Sequence, residues 1–218
     1  MARPDRLVAI VGTGTDIGKT WVAARLLRAL RETGISVAAR KPAQSFDPAD
    51  DPAGYDASVL GAASGEAPET VCPAHRWYEA ALAPPMAADV LGRPAFTVDD
   101  LLEECWWPAE PVGVGIVETA GGLRSPIAQD GDCLVLVRAL APDVVVLVAD
   151  AGLGTINAVR LSAGALAADA MPFVIVLNRF DATVDLHRRN RDWLRERDGL
   201  SVFVTPGDEV ELARRTHA

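Results

Sequence analysis

The sequence predicts a three-layer α/β domain, with a mostly parallel central sheet flanked by helices. Two observations carry this expectation. Strand-like runs such as Leu7–Val11 and Val144–Ala149 are apolar throughout instead of alternating with polar residues. Strands of that kind are buried on both faces, as in parallel sheets covered by helices. These runs also alternate with helical segments along all 218 residues, the order that repeated β–α units produce. The length suits one such domain, spanning residues 1–218, with a core on each side of the sheet.

Taken in order, Leu7–Val11 reads as the first strand and Ile17–Glu32 as the first helix, stopped by Gly34. Ile35–Arg40 is the second strand, ending at Lys41-Pro42. Polar residues 44–54 read as a loop and Tyr55–Ala63 as a short helix. The Pro-rich stretch Glu66–Pro94, with its aromatic pair Trp77-Tyr78, reads as irregular, and long loops of that kind are more often functional than idle. Val98–Trp107 is helical, with Thr97 placed to cap it. Val112–Glu118 is a strand that delivers an acid at its carboxyl end, and Asp132–Leu140 a helix. Val144–Ala149 is followed by the helix Thr155–Ala168 and by the strand Phe173–Leu177, which ends at Asn178. Asp185–Arg197 reads as a charged amphipathic helix, Val202–Val204 as a short strand and Asp208–Arg215 as the closing helix. No internal repeat and no domain-dividing linker interrupts the pattern. In such sheets ligands lie beyond the carboxyl ends of the strands. Lys41, Glu118, Asp150 and Asn178 stand at those ends and are expected to converge.

Composition narrows the class of function. A net charge of −9 lacks the concentrated basic footprint of a nucleic-acid surface. Cys72, Cys105 and Cys133 are widely spaced, odd in number and form no Cys-x-x-Cys pair, which suits reduced thiols in a cytoplasmic protein. The opening MARPDR runs into the first strand with no apolar leader, and no segment approaches the length of a membrane span. The expected protein is cytoplasmic, without a membrane or nucleic-acid partner.

The chemistry begins after the first strand, at Gly12-Thr13-Gly14-Thr15-Asp16-Ile17-Gly18-Lys19-Thr20. Glycines let the backbone turn tightly and aim its N–H groups at a phosphate. Lys19 brings a mobile positive charge to the β/γ oxygens, and the Thr20 hydroxyl is placed for Mg²⁺. The chain is therefore expected to bind a nucleoside triphosphate. Glu118 suits a direct or outer Mg²⁺ ligand or a loop cap, and Gly121 and Gly122 after it permit close backbone approach to phosphate. Lys41 faces the ligand crevice and can stabilise a transferring phosphoryl group or an anionic substrate. Asp56, by position alone, reads as a helix-start residue. Gly152–Asn157 opens a helix whose free N–H groups suit a carboxylate or phosphate, although a plain strand-to-helix turn has the same pattern. Asn178-Arg179-Phe180-Asp181 is similar to a base-reading element. Its amide suits a purine edge and its carboxylate suits guanine.

Together and in this order, GTGTDIGKT, RKPAQS, YDAS, VETAGG, GLGTIN and VLN resemble the dethiobiotin synthetase family over essentially the full chain. The first anchor is shared by many nucleotide-binding proteins, whereas Lys-Pro combined with Glu-x-Ala-Gly-Gly and Leu-Gly-Thr-Ile-Asn is selective. The resemblance implies a P-loop NTPase-like domain acting as a homodimer on 7,8-diaminononanoate, CO₂ and ATP with Mg²⁺. One amine captures CO₂ as a carbamate, which attacks the γ-phosphate; the second amine then displaces phosphate and closes a cyclic urea. By the same resemblance, Gly14, Thr15, Asp16, Ile17, Gly18, Lys19 and Thr20 hold the nucleotide together with Glu118, Gly121 and Gly122. Thr20, Asp56 and Glu118 match the metal site. Lys19, Lys41, Thr15 and Asp16 match the catalytic positions, and Thr15, Asp16, Lys41 and Ser45 those around the carbamate and diamine. Gly154, Thr155, Ile156 and Asn157 match the segment that holds the substrate carboxylate from the other subunit. Asn190 lies where the family often has a tyrosine near that carboxylate. Asn178 matches the base contact, and Pro206-Gly207 the last loop over the nucleotide.

Four positions depart from the family pattern. Phe46 and Thr119 each replace a loop glycine, Gly152 stands where a lysine is sometimes found, and Asp16 is one methylene shorter than a common glutamate. These departures leave open a diverged synthetase acting on another amine or carboxylate. An amide ligase with an attached glutaminase domain needs a longer chain. A partitioning-type ATPase switch carries a further lysine where Thr13 stands, and its membrane-binding members end in a basic amphipathic helix unlike DEVELARRTHA.

Overall fold

A computed structural model describes residues 3–218, so Met1 and Ala2, which open the expected lead-in MARPDR, lie outside the described residues. The chain runs through β1 (Arg6–Gly12), α1 (Lys19–Glu32), β2 (Val37–Arg40), β3 (Gln44–Ser45), α2 (Asp56–Ser64), α3 (Pro68–Val71), β4 (Trp77–Tyr78), α4 (Pro84–Val90) and α5 (Val98–Glu104). It continues through β5 (Val114–Glu118), β6 (Pro126–Ala128), β7 (Gly131–Asp132), α6 (Cys133–Leu140), β8 (Val144–Asp150), α7 (Thr155–Ala168), β9 (Phe173–Asn178), α8 (Asp185–Asp192), β10 (Val202–Val204) and α9 (Glu209–His217).

Six strands form one sheet in the order β10-β9-β8-β1-β5-β2, and every neighbouring pair is parallel. β1 lies inside it, with Val8 in register with Ile116 on one side and Val144 on the other. Because strand side chains alternate between faces, Val8 and Ile10 pack on one face and Ala9 and Val11 on the other. The first face meets α1, α2 and α9 through Leu26, Leu27, Leu30, Leu60 and Leu212. The second meets α6 and α7 through Leu134, Val137, Val159 and Leu166. That arrangement is the three-layer architecture expected from the apolar strands, and it leaves the carboxyl ends of β1, β2, β5, β8 and β9 facing one crevice.

Several expected elements are corrected. The first helix begins at Lys19, not Ile17, because Asp16 (φ 56°) and Gly18 (φ 85°) wrap the preceding loop in left-handed backbone. The stretch Glu66–Pro94 is not irregular. It holds α3, a 3₁₀ turn over Ala74–Arg76, β4 and α4. Its prolines misled because Pro68 and Pro84 open helices, at the position where a missing N–H costs nothing. β4 pairs in parallel with β3, so part of the expected loop 44–54 is also ordered as a strand. Tyr78, Phe96, Leu101, Ile127 and Leu136 form a third core beneath it.

α5 is capped by Thr97, whose side chain and that of Asp100 satisfy each other's backbone N–H groups. It ends at Glu104, short of the expected Trp107, because Cys105 leaves helical backbone (φ −77°, ψ 69°) and closes the last turn by donating to Leu102 O. The small antiparallel pair β6–β7 was not expected at all. The expected helix Asp185–Arg197 is α-helical to Asp192 and widens into a π turn over Trp193–Arg197.

Candidate active site

The carboxyl end of β1 turns into the loop that caps α1, and Lys19 is folded back so that Nζ donates to Gly14 O at 3.1 Å. Burial, together with repulsion from Lys41, holds the Lys19 ammonium below its ordinary value. The loop after β5 closes over this turn: Leu123 N donates to Gly12 O at 2.8 Å, and Gly122 N to Ser125 Oγ at 2.9 Å. Gly121 sits at φ 68°, where a Cβ would meet Ser125 Oγ at 2.7 Å, so this close approach requires glycine.

Beside the loop, four side chains from four segments meet. Thr20 Oγ1 lies 2.6 Å from Asp56 Oδ1 and 2.8 Å from Glu118 Oε1. Lys41 Nζ is 2.6 Å from Asp56 Oδ2 and 2.7 Å from Glu118 Oε1, and it also donates to Thr119 O at 3.1 Å. Lys41 and Glu118 are fully enclosed. Burial alone would pull the Lys41 ammonium down, but Asp56 and Glu118 outweigh it and hold Lys41 above its ordinary value. Burial pushes Asp56 up, but the charge and hydrogen bond of Lys41, the Thr20 hydroxyl and the Lys19 charge together outweigh it, so Asp56 is held below the usual carboxylate range. Glu118 goes the other way: burial and the neighbouring Asp56 push it up despite Lys41.

Glu118 Oε2 is a buried oxygen without a hydrogen-bond partner. An unpartnered carboxylate oxygen beside a hydroxyl and a second carboxylate is a hard-oxygen set that fits a small divalent cation. Among the described residues no three His, Cys, Asp or Glu side chains gather into a metal cluster. Thr20, Asp56 and Glu118 would hold such a cation, with water or phosphate oxygens completing its shell.

These groups form the floor of a cleft of about 1040 Å³. Thr15 and Asp16 line it on the phosphate-loop side, Ser45 and Phe46 opposite, and Leu82 and Pro84 from the once-irregular stretch. Ser45 Oγ donates to Leu82 O. Phe46, the departure from a loop glycine, stacks on Tyr55 with ring centres 3.9 Å apart, and Trp77 meets Tyr55 edge-on. The substituted ring thus builds an aromatic wall.

A smaller cleft of about 240 Å³ shares Gly18, Trp21 and Arg179 with the first and adds Asn178 and Pro206. Asn178 is buried there: Nδ2 donates to Ile17 O at 2.8 Å, and Oδ1 lies 3.1 Å from Thr205 Oγ1. It ties the ends of β9 and β10 to the phosphate loop. Arg179 reinforces the tie by donating to Asp16 O at 2.6 Å.

Gly154, Thr155, Ile156, Asn157 and Asn190 line neither of these two clefts. The Asn190 amide donates to Ala151 O at 2.9 Å and Gly152 O at 2.8 Å, so both its N–H groups shape the turn before α7. Asn190 thus braces the segment whose helix start Gly154–Asn157 is expected to meet a substrate carboxylate. Gly14, Ile17, Gly122 and Gly207 line neither of these two clefts either, and Ile17 packs its side chain on the core cluster that includes α1. Sequence reasoning missed Trp21, Gln44, Tyr55, Ser125 and Arg179 as lining groups. An exposed Trp in the first turn of α1 is a readable signal, whereas the others depend on how distant segments fold together.

Fold and loop together define a nucleotide-binding α/β protein of the P-loop class. The family model described as an AAA domain matches residues 6–205. The ATP-dependent dethiobiotin synthetase of Haloferax mediterranei is 40% identical over 201 residues, covering 91% of this chain and 82% of that protein. The one from Anaeromyxobacter dehalogenans is 37% identical over 216 residues, covering 96% and 93%. Among solved structures, a plasmid partition protein from Borrelia burgdorferi superposes with a TM-score of 0.57 at 12% identity, over 99% of this chain and 97% of that one. The MinC:MinD cell division complex of Aquifex aeolicus gives 0.56 at 13% identity, over 97% and 86%. At such identities the structural likeness speaks for the fold alone. The chain belongs to the ATP-dependent dethiobiotin synthetase family.

Proposed function

We propose that this chain is a dethiobiotin synthetase, a cyclo-ligase that consumes ATP to convert 7,8-diaminononanoate and CO₂ into dethiobiotin, ADP and phosphate. The observation that carries the reading is the enclosed cluster of Lys41, Thr20, Asp56 and Glu118 beside a phosphate loop, at the floor of a cleft with one aromatic wall. Residues 1–218 act as a single domain in this reading.

One amine attacks CO₂, forming an N–C bond and releasing a proton. The carbamate oxygen then attacks the γ-phosphorus as the bond to the β–γ bridging oxygen breaks, and ADP leaves. The second amine attacks the carbonyl carbon, phosphate departs with the C–O electron pair, and the amine proton goes to solvent as the ring closes. Phosphoryl transfer of this kind needs positive charge around the γ-phosphate more than covalent help. Lys19 supplies it from the loop, and Lys41 supplies it from the floor. Thr20, Asp56 and Glu118 would hold Mg²⁺, which would supply further positive charge to the phosphates. Thr15, Asp16 and Ser45 line the mouth and hold the amines, and Asn178, Pro206 and Gly207 border the base.

The test is phosphate release with the components omitted one at a time. Purified protein turns over ATP only when diaminononanoate and bicarbonate are both present, and a cyclic urea accumulates. Steady ATP hydrolysis that the diamine does not raise would overturn the reading.

The segment Gly154–Asn157 is proposed to serve the partner's cleft in a homodimer. Its support is that Leu153 and Leu161 flank it at 91% and 70% exposure, which a soluble monomer would leave as bare apolar surface. Sedimentation is expected to give a dimer at assay concentrations. A monomer with full activity would remove the shared site. We also read the protein as cytoplasmic, supported by the free thiols Cys72, Cys105 and Cys133. Among the described residues no helix is long and apolar enough to cross a membrane.

A further inference from the structure

Gln44 presents a buried donor without an acceptor to the main cleft. It sits on β3 and is 2% exposed, and its Oε1 accepts from Ala57 N at 2.9 Å, in the first turn of α2. Only an oxygen can accept that bond, so the orientation of the amide is settled and its NH₂ points the other way. That nitrogen is buried, lacks any hydrogen-bond partner and belongs to a residue lining the cleft beside Lys41, Ser45 and Asp56. Nε2 makes no bond to the Asp56 carboxylate, whose oxygens are taken by Thr20 and Lys41.

Buried amide hydrogens without an acceptor are uncommon in folded proteins, and where they occur they ask for one. The cleft floor thus carries two complementary orphans. Glu118 Oε2 is an acceptor without a donor, and Gln44 Nε2 is a donor without an acceptor. A free diamine offers this amide only further N–H groups and lone pairs that its protonation removes. Once one amine has taken up CO₂, the same substrate carries two anionic carbamate oxygens.

We propose that Gln44 binds the carboxylated form of the amine substrate, its Nε2 donating to a carbamate oxygen. This rests on the synthetase reading above and adds a residue that selects the carbamate over the uncarboxylated amine. The neutral amide suits the task. It recognises anionic oxygen without adding a third cation to a site where Lys19 and Lys41 already repel each other.

The experiment uses the full chain and two variants. Gln44→Glu keeps an oxygen for Ala57 N but replaces the NH₂, whereas Gln44→Met removes both functions. Carbon NMR with labelled bicarbonate and diaminononanoate, without ATP, reads the bound carbamate directly. The wild type is expected to show that signal and both variants to lose it. In turnover, the KM for bicarbonate rises about a hundredfold in both, the effect of removing one oriented donor from a buried anion. ATP affinity stays unchanged, and Tm falls in Gln44→Met alone. Retention of the carbamate signal and the bicarbonate KM by either variant overturns the proposal. Loss of ATP affinity in Gln44→Glu overturns it too, because Gln44 would then be a brace for α2 and Asp56. A wild-type enzyme that shows neither the carbamate nor diamine-dependent turnover refutes the synthetase reading itself, and this inference with it.

Discussion

Lys41→Met is expected to lower kcat by about a thousandfold, the upper range for removing one preorganised charge from a transition state, while ATP affinity changes little. The reason lies in where Lys41 is held. Its ammonium rests on Asp56, Glu118 and Thr119 O, not on the backbone of the phosphate loop, whose own lysine is Lys19. Nucleotide binding therefore keeps its loop, its lysine and the cleft beside Asn178. The transferring phosphoryl group loses the only other lysine at the floor. Phosphate release and calorimetric ATP binding separate the two effects, and loss of both together would make Lys41 a nucleotide anchor or a structural residue.

Stability of the same variant carries a second signature. Without Lys41, two carboxylates face each other in an enclosed site, and Glu118 is already pushed up by burial and by Asp56. A carboxyl whose folded value lies above its unfolded one stabilises the fold at low pH and loses that contribution as pH rises through the folded value. The apo variant should therefore melt lower at about pH 8 than at about pH 5, relative to wild type at the same pH values. Methionine keeps the volume of the side chain, so packing contributes little to the difference.

Where the sequence was legible, the physics was local. The helix Thr155–Ala168 and the strand Val202–Val204 fall where periodicity and apolar runs place them, and β1, β8 and β9 are each off by a residue or so. A buried parallel strand announces itself because no polar residue is tolerated on either face. The strand Gln44–Ser45 and the stretch Glu66–Pro94 did not, because what orders them is tertiary, whereas the helix between them falls within a residue of its expected place. β3 and β4 are two residues each and exist only by pairing across a long intervening segment. Asp56 shows the same limit. Its position alone reads as a helix start, which it is, but its partners Thr20 and Lys41 come from α1 and the end of β2. Family resemblance pointed to Asp56 where residue-by-residue reasoning did not. Neither pointed to Gln44, whose unusual feature is an absent partner, and that is visible only once the fold surrounds it.

Gly18→Ala is expected to weaken ATP binding by at least about a hundredfold, equivalent to roughly 3 kcal/mol. Two independent costs act at this residue. At φ 85° and ψ 35°, a residue with a Cβ carries about 1–2 kcal/mol of left-handed strain. The added Cβ would also stand 2.1 Å from Asn178 Nδ2 and 3.3 Å from its Cγ, an overlap that cannot persist. Asn178 has no room to yield, since it is buried and pinned between Ile17 O and Thr205 Oγ1. The phosphate loop must move instead, and with it the N–H groups at the start of α1 that would meet the phosphates. The two costs separate in a double-mutant cycle. Asn178→Ala removes the clashing nitrogen, so Gly18→Ala/Asn178→Ala should bind ATP more tightly than Gly18→Ala alone, despite having lost a residue of the smaller cleft. Recovery measures the clash, and the residual deficit measures the backbone strain together with the lost tie to Ile17. If the double variant binds no better than the single one, the overlap with Asn178 is not what confines position 18 to glycine.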